Sequence, residues 1–481
     1  MMQYELGYGL TVYEMLKKAK ETFGNQNLFS YMRNGQIVTV SYEEFWVDVH
    51  NVAYRLEQKQ VKGRYVIIEG KPVYETIVAL YATITVGAIA AMVNMDLPEE
   101  EICRAMKLMN PAMVICSEDA YDVVEEYTKS HNISCVFCAE EDAQMSIRQW
   151  INEGGTLYEY TGEQKAEDPA LVLMTSGSTS QSKVVLLSHY AFVPNKEYYA
   201  DKNILLFPLY HIAGLSLVSN CIVKGVKLCL SNMKEGMRDI EWFKPTEMVS
   251  VPAFISVMVE RSKKNQFDLS NFKSITSAGA PQNLALTEYL NSFGIFSGSS
   301  YGATETGGPV IYTTPMDYRY GAVGKPGPWN EVKISDIGEV LVRGKNIMLE
   351  YIGNPEETKE VLADGWYHTG DAGHIDEDGF LCITGRIKNI IILSNGENVS
   401  PEAIEKQLNY CEEIEEVIVY GEDDVIAAHV WCGENADDST KEKVEKYIAK
   451  YNRTVPSYHC VRKIVFRETP FDKTSTGKVK R

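Results

Sequence analysis

Short apolar runs ending in Ser-, Thr-, Gly- or Pro-rich loops recur along this chain, most of them separated by helix-patterned stretches. YVIIEG, AMVICSEDA, ALVLMTSG, NILLFPLY, VKLCLS, EMVSVP and KSITSAGA are such units. PEEEICRAMKLMN begins with Pro and acids, as the first turn of a helix does. Alternation of this kind predicts an α/β fold of largely parallel, doubly wound sheets. Ligands in such folds sit at the carboxyl ends of strands, where these polar loops fall. At 481 residues the chain exceeds one ordinary core, so two or more domains are expected.

After about Gly321 the pattern changes. GEVLVRG and the pair around Asp378-Gly379 in GHIDEDGFLCITG read as antiparallel strands, a β-subdomain. A compact α+β tail follows: SPEAIEKQLNYC as a capped helix, alternation in EEVIVYGEDDVIAAHVWC, and STKEKVEKYIAKYN as a second amphipathic helix. The expected division is a large N-terminal domain over 1–385 and a small C-terminal domain over 386–481, with a size usual for a domain.

A formal net charge of −19 argues against nucleic acid or an anionic membrane as the main partner. An anionic ligand would need local Lys, Arg and backbone N–H contacts. Ten cysteines in so long a chain make no dense framework. Cys135 and Cys138 form one C-x-x-C without a second pair or adjacent histidines, which reads as a buried strand with small apolar cysteines. Reduced cysteines suit a cytoplasmic setting. The N-terminus shows no signal-peptide pattern. The uncharged run Thr76–Met95 is long enough to span a bilayer, but Gly87 suggests a buried helix, a break and a short strand through Met92 and Val93.

Four constellations could carry chemistry. The first is LVLMTSGSTSQSKVV, from Leu171 to Val185. It is not a Walker loop, because Ser182 and Val184 flank Lys183 where Gly and Ser or Thr belong. Thr175, Ser176, Ser178 and Thr179 nonetheless offer hydroxyls, Gly177 backbone freedom, and Lys183 a point charge. The second is SSYGATETGG: Tyr301 could stack on a flat ring, Thr304 could donate to a phosphate, and Glu305 could hold Mg²⁺. Its plainer reading is a helix start with acidic first-turn residues. In the third, Asp364–Asn389, Asp371 beside a Thr-Gly turn can accept from ribose hydroxyls, with Arg386 able to reach a hydroxyl or phosphate. The fourth, PFDKTSTGKVKR, places Lys478 on a loop after Gly477. Taken singly, these are a Ser/Gly loop, a helix cap, a turn acid and a solvated basic tail.

In order and spacing the four together resemble the adenylate-forming superfamily of acyl- and aryl-CoA synthetases, luciferase and peptide-synthetase adenylation domains. The match runs over nearly the whole chain through TSGSTSQSK, PLYHIAG, Ala278–Pro281, YGATE, GEVLVRG, GWYHTGD, GRIKNIIILSNGENVSPEAIE and KTSTGK. It looks most similar to bacterial medium- or long-chain acyl-CoA synthetases. The resemblance implies ATP-dependent activation of a small carboxylate to an acyl-adenylate, then transfer to a thiol of CoA or of a phosphopantetheine on an acyl or peptidyl carrier protein. It further implies that Thr175–Lys183 holds the β- and γ-phosphates, that Gly279, Ala280 and Pro281 line the adenine site, and that Tyr301, followed by Gly302, stacks on the base. Thr304 would contact the α-phosphate, Glu305 would bind Mg²⁺, and Asp371 and Arg386 would hold the ribose. Lys478 would stabilise the adenylation transition state. Lys388 would be the hinge of a mobile C-terminal domain, and His211 would lie near the carboxylate or pantetheine tunnel.

The loop departs from the family's T-G-x-P-K-G at Ser180, Ser182 and Val184, which predicts a stiffer loop. Two rival readings stand beside the fatty acyl-CoA ligase. One is an aryl-acid ligase of the o-succinylbenzoate kind or a carrier-protein ligase. The other is a degenerate, non-catalytic nucleotide-binding protein.

Overall fold

The computed structural model describes residues 9–138, 145–175, 182–193, 201–279, 284–394 and 397–472. It divides into two compact units. The first comprises 1–318, 324–331 and 343–365, and the second 319–323, 332–342 and 366–481.

In the first unit the apolar runs become strands of two sheets. Tyr65–Glu69, Ile89–Val93, Met113–Cys116, Ser134–Phe137 and Pro169–Thr175 lie parallel in one seven-stranded sheet. Its far edge is antiparallel: Lys183–Ser188 folds back along Pro169–Thr175, and Glu350–Tyr351 pairs outside it. Helix Glu99–Met109 packs on this sheet through Ile102, Ala105, Met106 and Met109, joining a core with Ile67, Ala91, Val114 and Val172. The second, nine-stranded sheet has six parallel strands, among them Lys202–Leu205, Glu247–Ser250, Ser274–Ser277 and Phe296–Ala303. Each parallel pair needs a crossover, and the helices supply it.

The uncharged run beginning at Thr76 resolves as expected. Tyr74–Thr85 is a wholly buried helix, Gly87 turns at φ +79°, and Ile89–Val93 is a buried strand. Among the described residues no helix is long and apolar enough to cross a membrane. Cys135 lies in the strand Ser134–Phe137, and the Cys138 thiol meets the Thr76 hydroxyl at 3.2 Å.

In the second unit, Tyr367–Ile375 and Leu381–Arg386 form an antiparallel hairpin turning at Asp378-Gly379. The tail forms a three-stranded sheet of Glu416–Glu422, Val425–Trp431 and Val461–Phe466. Helices Pro401–Leu408 and Asp438–Tyr451 cover it through Ile404, Leu408, Val444 and Ile448. Residues 385 and 386 both belong to the strand Leu381–Arg386, so the expected 385/386 division falls within this unit.

Candidate active site

The loop Leu171–Val185 is held by its ends. Thr175 and Lys183 are direct partners across the antiparallel pair, so the chain leaves and re-enters the sheet at one point. Ser176, Gly177, Ser178 and Thr179 lie outside the described residues. Two of the departures from the family pattern have visible causes. The Ser182 hydroxyl donates to the Glu101 carboxylate at 2.6 Å, and its carbonyl accepts from the Arg104 guanidinium. Glu101 and Arg104 stand three residues apart on helix Glu99–Met109 and so share a face. Val184 is 2% exposed and packs in the core with Val172 and Leu186, an apolar strand position rather than a pliable loop residue.

Lys183 emerges at the start of the returning strand. Its Nζ is 2.5 Å from Glu357 Oε1 and 4.7 Å from the centre of the Tyr351 ring. The Tyr351 hydroxyl donates to Glu305 Oε1 at 2.8 Å. One tyrosine therefore links the loop cation to the carboxylate expected to bind metal. Backbone bonds fix the arrangement: Ile352 N–H donates to Val184 O at 2.8 Å, and Met348 N–H to Glu305 O at 2.7 Å. Tyr351 and Glu357 were not among the residues expected from sequence. The sole hint is the Asn354-Pro355 helix start, whose cap orients Glu357.

SSYGATETGG continues the strand Phe296–Ala303, and Thr304–Thr306 is a single 3₁₀ turn rather than the start of a helix. The Thr306 hydroxyl accepts from Ala303 N–H at 2.8 Å and donates to Gly308 O at 2.6 Å, closing the turn that presents Thr304 and Glu305. Tyr301 opposes Ile311 on the neighbouring strand. Gly302 has no room for a side chain, since a Cβ there would sit 2.3 Å from Gly308 O.

His211 caps helix Ile212–Lys224, its Nδ1 accepting from Ala213 N–H at 3.2 Å. That bond leaves Nε2 to carry the proton, and burial keeps the imidazole below its usual pKa. The first turns of this helix press on the Glu305 turn, because a Cβ on Gly308 would meet Ser216 Oγ at 2.3 Å. Gly279 follows the strand Ser274–Ser277 at φ +80°, a left-handed backbone conformation that favours glycine. Ala280 and Pro281 lie outside the described residues.

In the second unit Asp371 and Arg386 are direct partners across the hairpin, Nε to Oδ1 at 2.9 Å. Thr369 sets both: its hydroxyl accepts from Asp371 N–H at 3.0 Å, and its carbonyl from Arg386 at 3.2 Å. Lys388 sits in the one-turn segment Ile387–Asn389 directly after this strand. Lys478 lies outside the described residues. Upstream of it, Phe471 is buried and its N–H donates to Glu416 at 2.7 Å.

Doubly wound sheets with polar loops at the carboxyl ends of their strands are the framework on which α/β enzymes bind their ligands. The AMP-binding enzyme family matches residues 16–352, and the AMP-binding enzyme C-terminal domain matches 388–481. The chain belongs to the AMP-binding enzyme family. A putative acyl–CoA ligase, YdaB, of Bacillus subtilis is 26% identical over 80% of this chain and 81% of its own. A 2-succinylbenzoate–CoA ligase of Listeria innocua is 27% identical over 92% of this chain and 93% of its own. Among solved structures, the anthranilate CoA ligase AuaEII in complex with anthranoyl-AMP superposes with a TM-score of 0.86 at 20% identity. It covers all of this chain and 97% of that one, a likeness of fold.

Proposed function

We propose that this chain activates a carboxylic acid with ATP, forming an acyl-adenylate and pyrophosphate, and passes the acyl group to the thiol of CoA. The observation that carries the reading is the Lys183–Tyr351–Glu305 arrangement at the end of the phosphate-loop strands. Lys183 supplies a point charge for the β- and γ-phosphates, and Thr304 a hydroxyl for the α-phosphate. Asp371 and Arg386 supply the ribose contacts. Lys478 stabilises the charge that gathers as carboxylate attacks phosphorus.

Glu305 suits Mg²⁺, which is usually held by one or two carboxylates together with substrate phosphates. Among the described residues no cluster of three acidic, His or Cys ligands is present, so the metal would arrive with the nucleotide. Bound there, it would neutralise phosphate charge. Tyr351 fixes the Glu305 carboxylate for that role. The reduced cysteines expected from the sequence accord with a cytoplasmic enzyme.

A fatty acid of medium or long chain is the first proposed substrate, on the motifs GRIKNIIILSNGENVSP and TSTGKVKR. An aryl acid of the o-succinylbenzoate kind is the second, favoured by the near full-length match to the Listeria enzyme. Pyrophosphate release over a panel of carboxylates, with and without CoA, tests the proposal. Release with one acid class and thioester only when CoA is present is expected. Silence with every acid would leave a non-catalytic nucleotide-binding protein.

A further inference from the structure

Glu357 occupies the place where the loop lysine needs an anion. Its Oε1 lies 2.5 Å from Lys183 Nζ, and its Oε2 accepts from Asn354 Nδ2 at 2.6 Å. The Asn354 side chain also accepts from Glu357 N–H at 3.2 Å, so one asparagine sets both the backbone and the carboxylate of Glu357. The Lys183 and Glu357 side chains are 24% and 29% exposed, open enough for a solute anion to reach the pair. Tyr351, under the Lys183 ammonium, is itself tied to Thr358 by a 2.9 Å bond from its N–H, which holds the strand and the helix Pro355–Val361 together.

We propose that Glu357 is an internal stand-in for the terminal phosphates: a specificity-determining carboxylate that must give up Lys183 before a triphosphate can take it. This rests on the reading of Lys183 as the triphosphate contact. The carboxylate and a phosphate are both anions competing for one ammonium, so the exchange costs any ligand long enough to reach Lys183. A nucleoside monophosphate does not reach it and pays nothing. Glu357 thus lowers affinity for ATP while leaving AMP untouched, which narrows the advantage of substrate over product.

The test is equilibrium binding of a non-hydrolysable ATP analogue and of AMP, each with Mg²⁺ and without acid substrate. The proteins are the full chain, Glu357→Gln and Glu357→Ala, each alone and combined with Lys183→Ala. Removing a partly exposed ion pair is expected to tighten the ATP analogue by about two- to fivefold in both Glu357 variants. AMP binding stays unchanged, and the gain disappears in the Lys183→Ala background. Unchanged or weaker binding of the analogue, or an equal gain for AMP, would overturn the proposal and leave the ligase reading standing. Failure of the unaltered protein to bind either nucleotide would overturn both.

Discussion

The Ser182 hydroxyl donates to the Glu101 carboxylate at 2.6 Å, anchoring the end of the loop within Leu171–Val185 to helix Glu99–Met109 one residue before Lys183. Of the residues that depart from the family loop, Val184 is a member of the strand Lys183–Ser188 and Ser182 directly precedes it, while Ser180 lies outside the described residues. Val184 places a packed side chain where the family pattern has glycine, which has none.

Restoring the family residue at this position should harm the protein. Val184→Gly removes a buried side chain worth about 2 kcal/mol and adds a strand-glycine cost of about 0.5–1 kcal/mol. A loss near 3 kcal/mol in urea unfolding is expected. Ser182→Ala should cost about 1.5–3 kcal/mol, the worth of one hydrogen bond to a charged group. An unchanged unfolding midpoint for Val184→Gly would show that the strand does not depend on it.

Asp371 is proposed to bind the ribose, and its pairing with Arg386 and Thr369 fixes its geometry in advance. Asp371→Ala should raise the KM for ATP about tenfold or more, the worth of one or two charge-assisted hydrogen bonds. The KM for the acid should stay near its starting value. Stability should change little, because the Arg386 side chain is 45% exposed and water replaces its partner. A loss confined to kcat would contradict the assignment.

Lys478 is proposed to act only in the first half-reaction. Lys478→Ala should slow adenylation about 10²–10³-fold, as removal of one transition-state donor does. Thioester formation from a supplied acyl-adenylate should be largely preserved. Equal loss in both steps, read by single-turnover assays, would refute the division of labour.

His189 gives a pH prediction. It is buried, accepts from Val12 N–H at 3.1 Å, and burial lowers its pKa from 6.5 to about 4. The unfolded chain then binds more protons than the folded one between those values. Stability from this group is complete above pH 6.5 and is lost as pH falls toward 4, by about 3 kcal/mol in all. Asp48 opposes it: burial raises its pKa to about 6, so the folded state gains protons there and is favoured as pH falls. The difference between the unaltered protein and His189→Gln isolates the histidine. Between pH 7 and 5 the variant should lose less stability than the parent. Identical slopes would contradict a buried neutral histidine.

The doubly wound sheets were legible because their strands are local apolar runs. Tyr65–Glu69, Met113–Cys116, Glu247–Ser250 and Ser274–Ser277 fall on the runs that the sequence shows. So was the break at Gly87, where a left-handed glycine ends a buried helix. Strand order was not legible, because pairing is set by contacts far apart in sequence. Asn27–Arg33, for example, lies parallel to Lys227–Leu230. The same limit hid Glu357. Nothing local to Asn354-Pro355-Glu356-Glu357 announces a lysine 174 positions earlier, since 357 − 183 = 174. Residues 319–323 show it again: they interrupt the first unit in sequence yet belong to the second, where Arg319 pairs with Asp376 and Asp378. Thr304 and Glu305 could be named as candidates, but the acidic pattern suggested a helix where a 3₁₀ turn closes on Thr306.

In an adenylate-forming reaction the carboxylate attacks the α-phosphorus, so ATP is cleaved between its α- and β-phosphates. Supplying ATP labelled in the α-phosphate, together with an accepted acid and CoA, and separating the nucleotides tests it most directly. Labelled AMP appearing one for one with thioester, through a labelled acyl-adenylate that accumulates when CoA is withheld, is the predicted result. Label recovered as ADP, or left in ATP with every acid offered, would contradict it.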